Sequence, residues 1–423
     1  MNHAVQLRSI QTLVPDVTLE QHTIRDMFAA QPGLSRLAQR LIATSFDGAG
    51  VETRHTVLAE LDPAAEIDAP QFLERTTGEL LEPGTAVRND IYAREADRLF
   101  IEAAERTLAA EPYLSASDVT HVVTVSCTGF HAPGPDYAIV RALGLSAAVQ
   151  RYHLGFMGCY AALPALRAAA QFCRADPDAV VLVASVELCT LHLRSSDDPD
   201  AIIASSLFAD GAAAALVTAR RLPTDAPGFV IDAFHTALIP DGEADMAWKV
   251  GDTGFEMVLS TRVPQLIGAH IDDALDALWQ GDEGIAGGLG RHPIGELVRH
   301  WAIHPGGRSI LDRVQERLGL DDGQLAPARE VLRTRGNMSS ATVLFVLQRI
   351  LEHESPQPGE RVAAMAFGPG LTAESALLTI AGRDAVAGRD AVSGRDAVAG
   401  RDAVSGRDAI AGRDAVAGRG DER

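Results

Sequence analysis

Cysteine is scarce in this chain. Only Cys127, Cys159, Cys173 and Cys189 occur in 423 residues, all in the first half and without C-x-x-C spacing. That pattern excludes a secreted disulfide framework and a cysteine-based zinc site, and it fits a reducing compartment. Positive charge is short as well: 37 Lys plus Arg stand against 57 Asp plus Glu, a net charge of −20. Such a chain repels phosphate backbones, so nucleic acid is not expected as a partner and an anionic substrate must rely on local basic residues. Long apolar runs are also missing. No segment approaches the span of a bilayer, and Met1 to Asp16 has no apolar core behind a basic head. The expectation is a soluble cytoplasmic protein with no membrane attachment.

What is present is ordinary globular material, 47% hydrophobic and 22% charged, long enough for one large two-lobed core or two domains. Leu19 to Arg40 reads as helical segments interrupted at Pro32-Gly33. Arg54 to Leu58 reads as a surface-facing segment, where Arg54 could meet a phosphate or simply be solvated. Asn89 to Ala109 repeats apolar residues at helical spacing. His121 to Ser126 and Ala179 to Glu187 read as strands, the latter covered on both faces. Between them, Leu163 to Cys173 is an apolar helix, which gives the grammar of a layered α/β protein. Ser205 to Gly211 reads as a turn feeding the strand Ala212 to Thr218. Arg220 to Pro227 then looks like a linker, dividing residues 1–220 from 221–381.

The second half repeats the grammar, with a strand at Phe229 to Leu238, a helix at Arg262 to Trp279 and a strand at Leu297 to Ile303. That strand ends in His304-Pro305-Gly306-Gly307 and is followed by a helix from Ser309 to Leu318. Next, Arg335-Gly336-Asn337-Met338-Ser339-Ser340 opens an apolar helix that continues through Leu351. The last strands are Arg361 to Phe367 and Ser375 to Ile380. From Gly382 the sequence changes to six copies of Gly-Arg-Asp-Ala-Val-Ala and close variants. One Val or Ile per copy is too little apolar surface to offset ordering entropy, so residues 382–423 are expected to be disordered. Their eight Arg balance eight Asp and Glu, which leaves the charge of −20 on the body.

Cys159 stands out within Gly155-Phe156-Met157-Gly158-Cys159-Tyr160, just before the apolar helix. Backbone N–H groups at a helix start push a thiol toward thiolate, the form that attacks carbonyls. Acyl transfer from a thioester needs such a thiol, a base to partner it, and donors aimed at the oxygen that becomes negative. Cys159, His304 and Asn337 supply those three types, and the last two sit where a strand or loop ends. Taken singly, each has a plain structural reading: a small buried hydrophobe, one of 13 histidines, and a turn or cap residue.

The context around them resembles the type III polyketide synthases, the chalcone and stilbene synthase-like branch of the thiolase superfamily. The residues that carry the resemblance surround Cys159 and run through SLFADGAAAALV from Ser206, WAIHPGGRSIL from Trp301, RGNMSSATVLFVL from Arg335 and FGPGLTAES from Phe367. It covers about the first 380 residues. It implies two similar halves in a five-layered αβαβα sandwich, assembled as a homodimer. It also implies that Cys159 takes a starter acyl group from an acyl-CoA, while His304 and Asn337 hold the malonyl-CoA carbonyl as carbon dioxide leaves. A polyketide then grows and cyclises to a pyrone, resorcinol or related product. No metal or cofactor beyond the CoA thioesters is implied.

By the same resemblance, Phe208 is a gatekeeper and Gly368, Pro369 and Gly370 form the loop that shapes the cyclisation cavity. Met257 falls where a second gatekeeper Phe is expected, His192 where plant enzymes keep a Thr, and Cys127 near another cavity position. Arg54 would be the CoA-binding residue. Ala209 and Ala366 replace family glycines. Two alternatives stay open: a chain-initiating ketoacyl synthase of fatty acid synthesis, although His304 lacks the His-Gln-Ala-Asn context, and a non-catalytic relative acting as partner subunit.

Overall fold

The first half begins with β1 (Gln6–Leu13), β2 (Val17–Glu20), α1 (Gln21–Ala29), α2 (Arg36–Gly48) and β3 (Thr53–Thr56), followed by a short ladder of β4 (Leu73–Glu74) and β5 (Glu79–Leu80). After it come α3 (Thr85–Ala109), β6 (His121–Ser126), α4 (Pro135–Ala142), β7 (Gln150–Gly155), α5 (Ala162–Ala175), β8 (Val180–Leu188), α6 (Pro199–Leu207) and β9 (Asp210–Thr218). The second half runs β10 (Gly228–Leu238), β11 (Met246–Gly251), β12 (Gly254–Leu259), α7 (Val263–Gln280), α8 (Glu283–Gly288), α9 (Ile294–Leu297) and β13 (His300–Ile303). It closes with α10 (Arg308–Leu318), α11 (Asp322–Arg335), α12 (Thr342–His353), β14 (Arg361–Gly368) and β15 (Thr372–Ala381). This computed structural model describes residues 4–223 and 227–382. The repeat tail and the middle of the expected linker therefore lie outside the described residues.

Nine strands form one sheet in the order β13-β14-β15-β10-β1-β9-β8-β6-β7. Read from its middle outward, that order is a duplication. In the first half β1, β9 and β8 pair antiparallel in turn, and β8, β6 and β7 pair parallel. In the second half β10, β15 and β14 pair antiparallel, and β14 and β13 pair parallel. The two sets join where β1 meets β10, Gln6 pairing with Val230 and Leu7 with Phe229. β8 and β9 are buried along their whole length, as their apolar runs require, whereas β7 is an exposed edge.

The centre is helical. Helix α5 presents Ala162, Leu163, Ala165, Leu166, Ala169, Ala170 and Cys173 inward, and the small side chains admit strands from both halves: β6, β8 and β9 from the first, β15 from the second. Helix α12 does the same with β1 and β9 on one side and β13 and β14 on the other. Outside, α3 covers the first half of the sheet, while α7 packs on β10 and β15 and against α10. All described residues fall in one compact unit, and no described helix is long and apolar enough to cross a membrane.

Three readings of the sequence need correction. Arg54 to Leu58 is not a surface segment: Arg54, His55 and Thr56 lie in β3 and are buried against the core. The supposed turn at Ser205 to Gly211 is shorter, because α6 runs to Leu207. The sequence reading also passed over β1, α11 and the β11–β12 hairpin.

Asp210 shows how buried polarity ties these pieces together. Its carboxylate accepts the Val57 N–H at 2.9 Å, the Thr190 N–H at 2.8 Å and the Thr190 hydroxyl at 2.6 Å. Burial pushes its pKa up to about 6, with those donors pulling back. Asp210→Asn turns an NH2 toward N–H donors and leaves groups unpaired, so it should destabilise the fold by about 2 kcal/mol. A urea midpoint equal to that of wild type would count against this account.

Candidate active site

Cys159 sits in the turn that leads from edge strand β7 into α5. The chain gets there through two left-handed residues, Phe156 at φ 59° and Gly158 at φ 81°. Gly158 has no substitute here: a Cβ would lie 2.5 Å from Cδ of Pro369. Beneath the turn, a Cβ on Gly368 would strike the Tyr160 ring at 2.5 Å. The thiol is thus set by close backbone contacts between the β7–α5 turn and the loop that joins β14 to β15.

His304 follows directly on β13, and its N–H donates to Met365 O in β14 at 2.7 Å. The imidazole is buried, and neither ring nitrogen has a hydrogen-bond partner. Asn337 follows α11 through Gly336, whose φ of 70° redirects the chain. Its backbone is locked on both sides, N–H to Leu207 O at 2.9 Å and O from Ala209 N–H at 2.9 Å. Its Oδ1 accepts the Ser339 N–H at 2.9 Å, which leaves the amide N–H groups for the Cys159 sulfur.

These three side chains line one cavity of about 30 Å³, with Phe208, Trp248, Met257, Phe367 and Pro369 as apolar walls. Burial pushes the Cys159 thiol up to about 12, and the Ser339 hydroxyl and Asn337 amide pull it back. The expected help from the helix start is therefore outweighed by desolvation. Burial alone lowers His304 to about 3. Both groups favour their uncharged forms. Beyond Leu259, Gly306 and Ile310 the cavity meets a larger pocket of about 480 Å³, bordered by the starts of α7 and α10.

Models of the chalcone and stilbene synthases match this chain twice, the N-terminal domain over residues 3–221 and the C-terminal domain over residues 231–381. The chain belongs to that family. It is 34% identical over 316 residues to bisdemethoxycurcumin synthase of Oryza sativa subsp. japonica, which covers 73% of this chain and 76% of that protein. Over 300 residues it is 34% identical to the alpha-pyrone synthesis polyketide synthase-like protein Pks18 of Mycobacterium tuberculosis, covering 70% and 74%. Among solved structures, PKS-I of the brown alga Ectocarpus siliculosus superposes with a TM-score of 0.79 at 28% identity, over 90% of this chain and 99% of that one. The 1,3,6,8-tetrahydroxynaphthalene synthase of Streptomyces coelicolor A3(2) gives 0.75 at 28%, over 89% and 99%. This type III polyketide synthase thus has a thiolase-like fold and is an acyl-transferring enzyme, and the ketoacyl-synthase alternative falls away.

Within the synthase, Phe208, Met257, Cys127 and Pro369 all line the cavity. Gly368 and Gly370 support the loop rather than the wall. Burial and the neighbouring Glu187 carboxylate hold the Cys127 thiol well above the usual range. His192 lies one cavity away, behind Phe208, Trp248 and Met257. Its ring stacks on Phe255 at 4.2 Å, donates through Nε2 to Thr128 O at 2.8 Å and accepts the Phe255 N–H at Nδ1 at 3.0 Å. Both nitrogens are engaged with backbone and burial lowers its pKa to about 3, so His192 is a neutral plate with no ring nitrogen left to bind a substrate. Arg54 is 1% exposed and bonded to Ser205 O, Phe208 O and Gln21, so it cannot reach a CoA phosphate as the sequence suggested. Among the described residues no group of three or more His, Cys, Asp or Glu could hold a metal ion.

Two cavity residues were missed. Trp248 faces Met257 across the β11–β12 ladder and donates Nε1–H to Cys127 O at 2.8 Å. Ser339 places its hydroxyl 3.3 Å from Cys127 Sγ and lowers the Cys159 pKa. Alternation through Met246, Trp248 and Val250 was the available signal for the hairpin, and Ser339 stood inside a motif already singled out.

The His304 shift has a measurable sign. Unfolded, the imidazole titrates near 6.5, and folded near 3. Between those values the unfolded chain binds more protons, so stability falls as pH falls. His304→Asn should flatten that slope by about 1 kcal/mol per pH unit. Urea unfolding of both proteins at pH 6.5, 5.5 and 4.5 checks it, and parallel slopes would refute it.

Proposed function

We propose that the enzyme loads an acyl-CoA starter on Cys159, extends it with malonyl-CoA by decarboxylative Claisen condensation, and releases a product cyclised to a pyrone, resorcinol or related ring. The observation that carries this reading is the buried, unpartnered His304 imidazole in the cavity that also holds Cys159 and the Asn337 amide. Buried polar groups are paired in the great majority of cases, so an imidazole with both nitrogens free of protein partners supports a role in holding a ligand.

In the proposed cycle, the thiol proton passes to His304 as sulfur attacks the starter carbonyl, and the departing CoA thiolate takes that proton back. Malonyl-CoA then enters, and its carboxylate leaves as carbon dioxide. The electron pair of the broken C–C bond moves into an enolate whose oxygen accepts hydrogen bonds from the His304 N–H and the Asn337 amide. Donors fixed in a dry cavity stabilise that charge without reorganising. The enolate carbon attacks the acyl carbonyl, the C–S bond breaks, and the lengthened chain is carried on CoA. The adjoining pocket beyond Gly306 suits the pantetheine arm, and the apolar walls favour an alkyl starter. The scheme draws on CoA thioesters alone, with no metal or further cofactor.

A homodimer is proposed as well. It is supported by β7, a free sheet edge, and by exposed aromatics beside it, Phe130, Tyr152 and Phe156. Sedimentation at micromolar concentration should return twice the chain mass, and a monomer would remove this part of the reading.

Purified enzyme given malonyl-CoA and short, aromatic or long-chain acyl-CoA starters should yield polyketides by mass spectrometry. Cys159→Ala should abolish them while some malonyl-CoA decarboxylation survives, because enolate formation needs the donors and not the thiol. Undiminished polyketide synthesis by Cys159→Ala would refute the nucleophile assignment.

A further inference from the structure

Helix α6 ends in an unusual way. Phe208, the residue after it, is extended at φ −75° and ψ 145°, so no left-handed cap closes the last turn. The carbonyls orphaned at a helix C-terminus must then find donors elsewhere. Arg54 Nη1 donates to Ser205 O at 2.7 Å and to Phe208 O at 2.8 Å. Gln21 Nε2 donates to Ser206 O at 2.9 Å, and its Oε1 accepts from Arg54 Nη2 at 2.7 Å. The fourth donor, to Leu207 O, is the backbone N–H of Asn337. Four successive carbonyls are therefore held by two side chains from β3 and α1 and by the backbone of the proposed oxyanion donor.

The contacts leave little play. Phe208 and Asn337 form a parallel bridge. A Cβ on Gly336 would stand 3.0 Å from Leu207 O and 3.3 Å from Arg54 Cβ. The guanidinium packs over the Phe46 ring at 5.4 Å, and its charge faces the negative end of the α6 dipole with Asp210 nearby. We propose that Arg54, braced by Gln21, is a positioning residue that fixes Phe208 and Asn337 relative to each other and so sets both the cavity wall and the oxyanion donor. A planar fork meets two carbonyls at once, which a lysine ammonium on a flexible stem does not reproduce. This inference rests on the proposed role of Asn337 in enolate formation.

The test uses full-length Arg54→Lys and Gln21→Met, with Asn337→Ala as reference. Each is assayed for folding by circular dichroism, for Cys159 alkylation by iodoacetamide, and for malonyl-CoA decarboxylation. In Arg54→Lys, alkylation should stay within about twofold of wild type while the decarboxylation kcat falls at least tenfold and KM changes by less than threefold. Gln21→Met should shift the same way by a smaller factor, and it decides alone if Arg54→Lys does not fold. Loss of decarboxylation in Asn337→Ala, with full kcat in both clamp variants, overturns the clamp. So does a parallel fall in alkylation and decarboxylation, which marks a purely structural role. Wild-type decarboxylation by Asn337→Ala instead overturns the reading of Asn337 on which the inference stands.

Discussion

Leaving both nitrogens of a buried imidazole unpaired costs a fold roughly 1–3 kcal/mol. His304 imposes that cost, and much of its surroundings explains how it is tolerated. The backbone is satisfied separately, since the N–H of His304 donates to Met365 O in β14. The walls around it are mostly apolar, with Phe208, Trp248, Met257, Phe367 and Pro369 among them. The same burial that leaves the imidazole without a protein partner raises the Cys159 thiol and strengthens every dipole aimed into the cavity. Reactivity and instability at this site have one origin.

The rest of the frame keeps that cavity in register across two halves of the chain. Cys159 comes from the first half, and His304 and Asn337 from the second. They can meet because α5 and α12 are shared between both sets of strands. Duplicated strand order places β6 and β13 as equivalents, yet only the second carries at its end the imidazole proposed for catalysis. The first instead runs into Cys127, whose N–H donates to the buried Glu187 at 2.9 Å. One architecture thus presents different chemistry at corresponding points.

Much of this was legible in the residues, for reasons that differ by element. The strands at His121 and Ala179 and the helices around Leu163 and Val343 announced themselves because burial on both faces demands unbroken apolar runs. Cys159, His304 and Asn337 were legible because their types fit thioester chemistry and their neighbours matched a known pattern. Arg54 was misread for a physical reason: a charged side chain is normally exposed, and nothing local shows that helix-end carbonyls 150 residues away will accept its protons. His192 misled in the same way, since a titratable ring near a site looks functional until both nitrogens are found on backbone. The hairpin bearing Trp248 was passed over because many of its residues are only partly buried and its two strands are short.

The indole of Trp248 is held by its own hydrogen bond to Cys127 O, independently of the three reactive side chains. The wall that Trp248 adds and the polar groups proposed to react are therefore anchored by separate contacts. A lineage could resize the space behind Phe208 through one codon in a surface hairpin while its bond-making apparatus stayed untouched, which decouples the evolution of product range from that of rate.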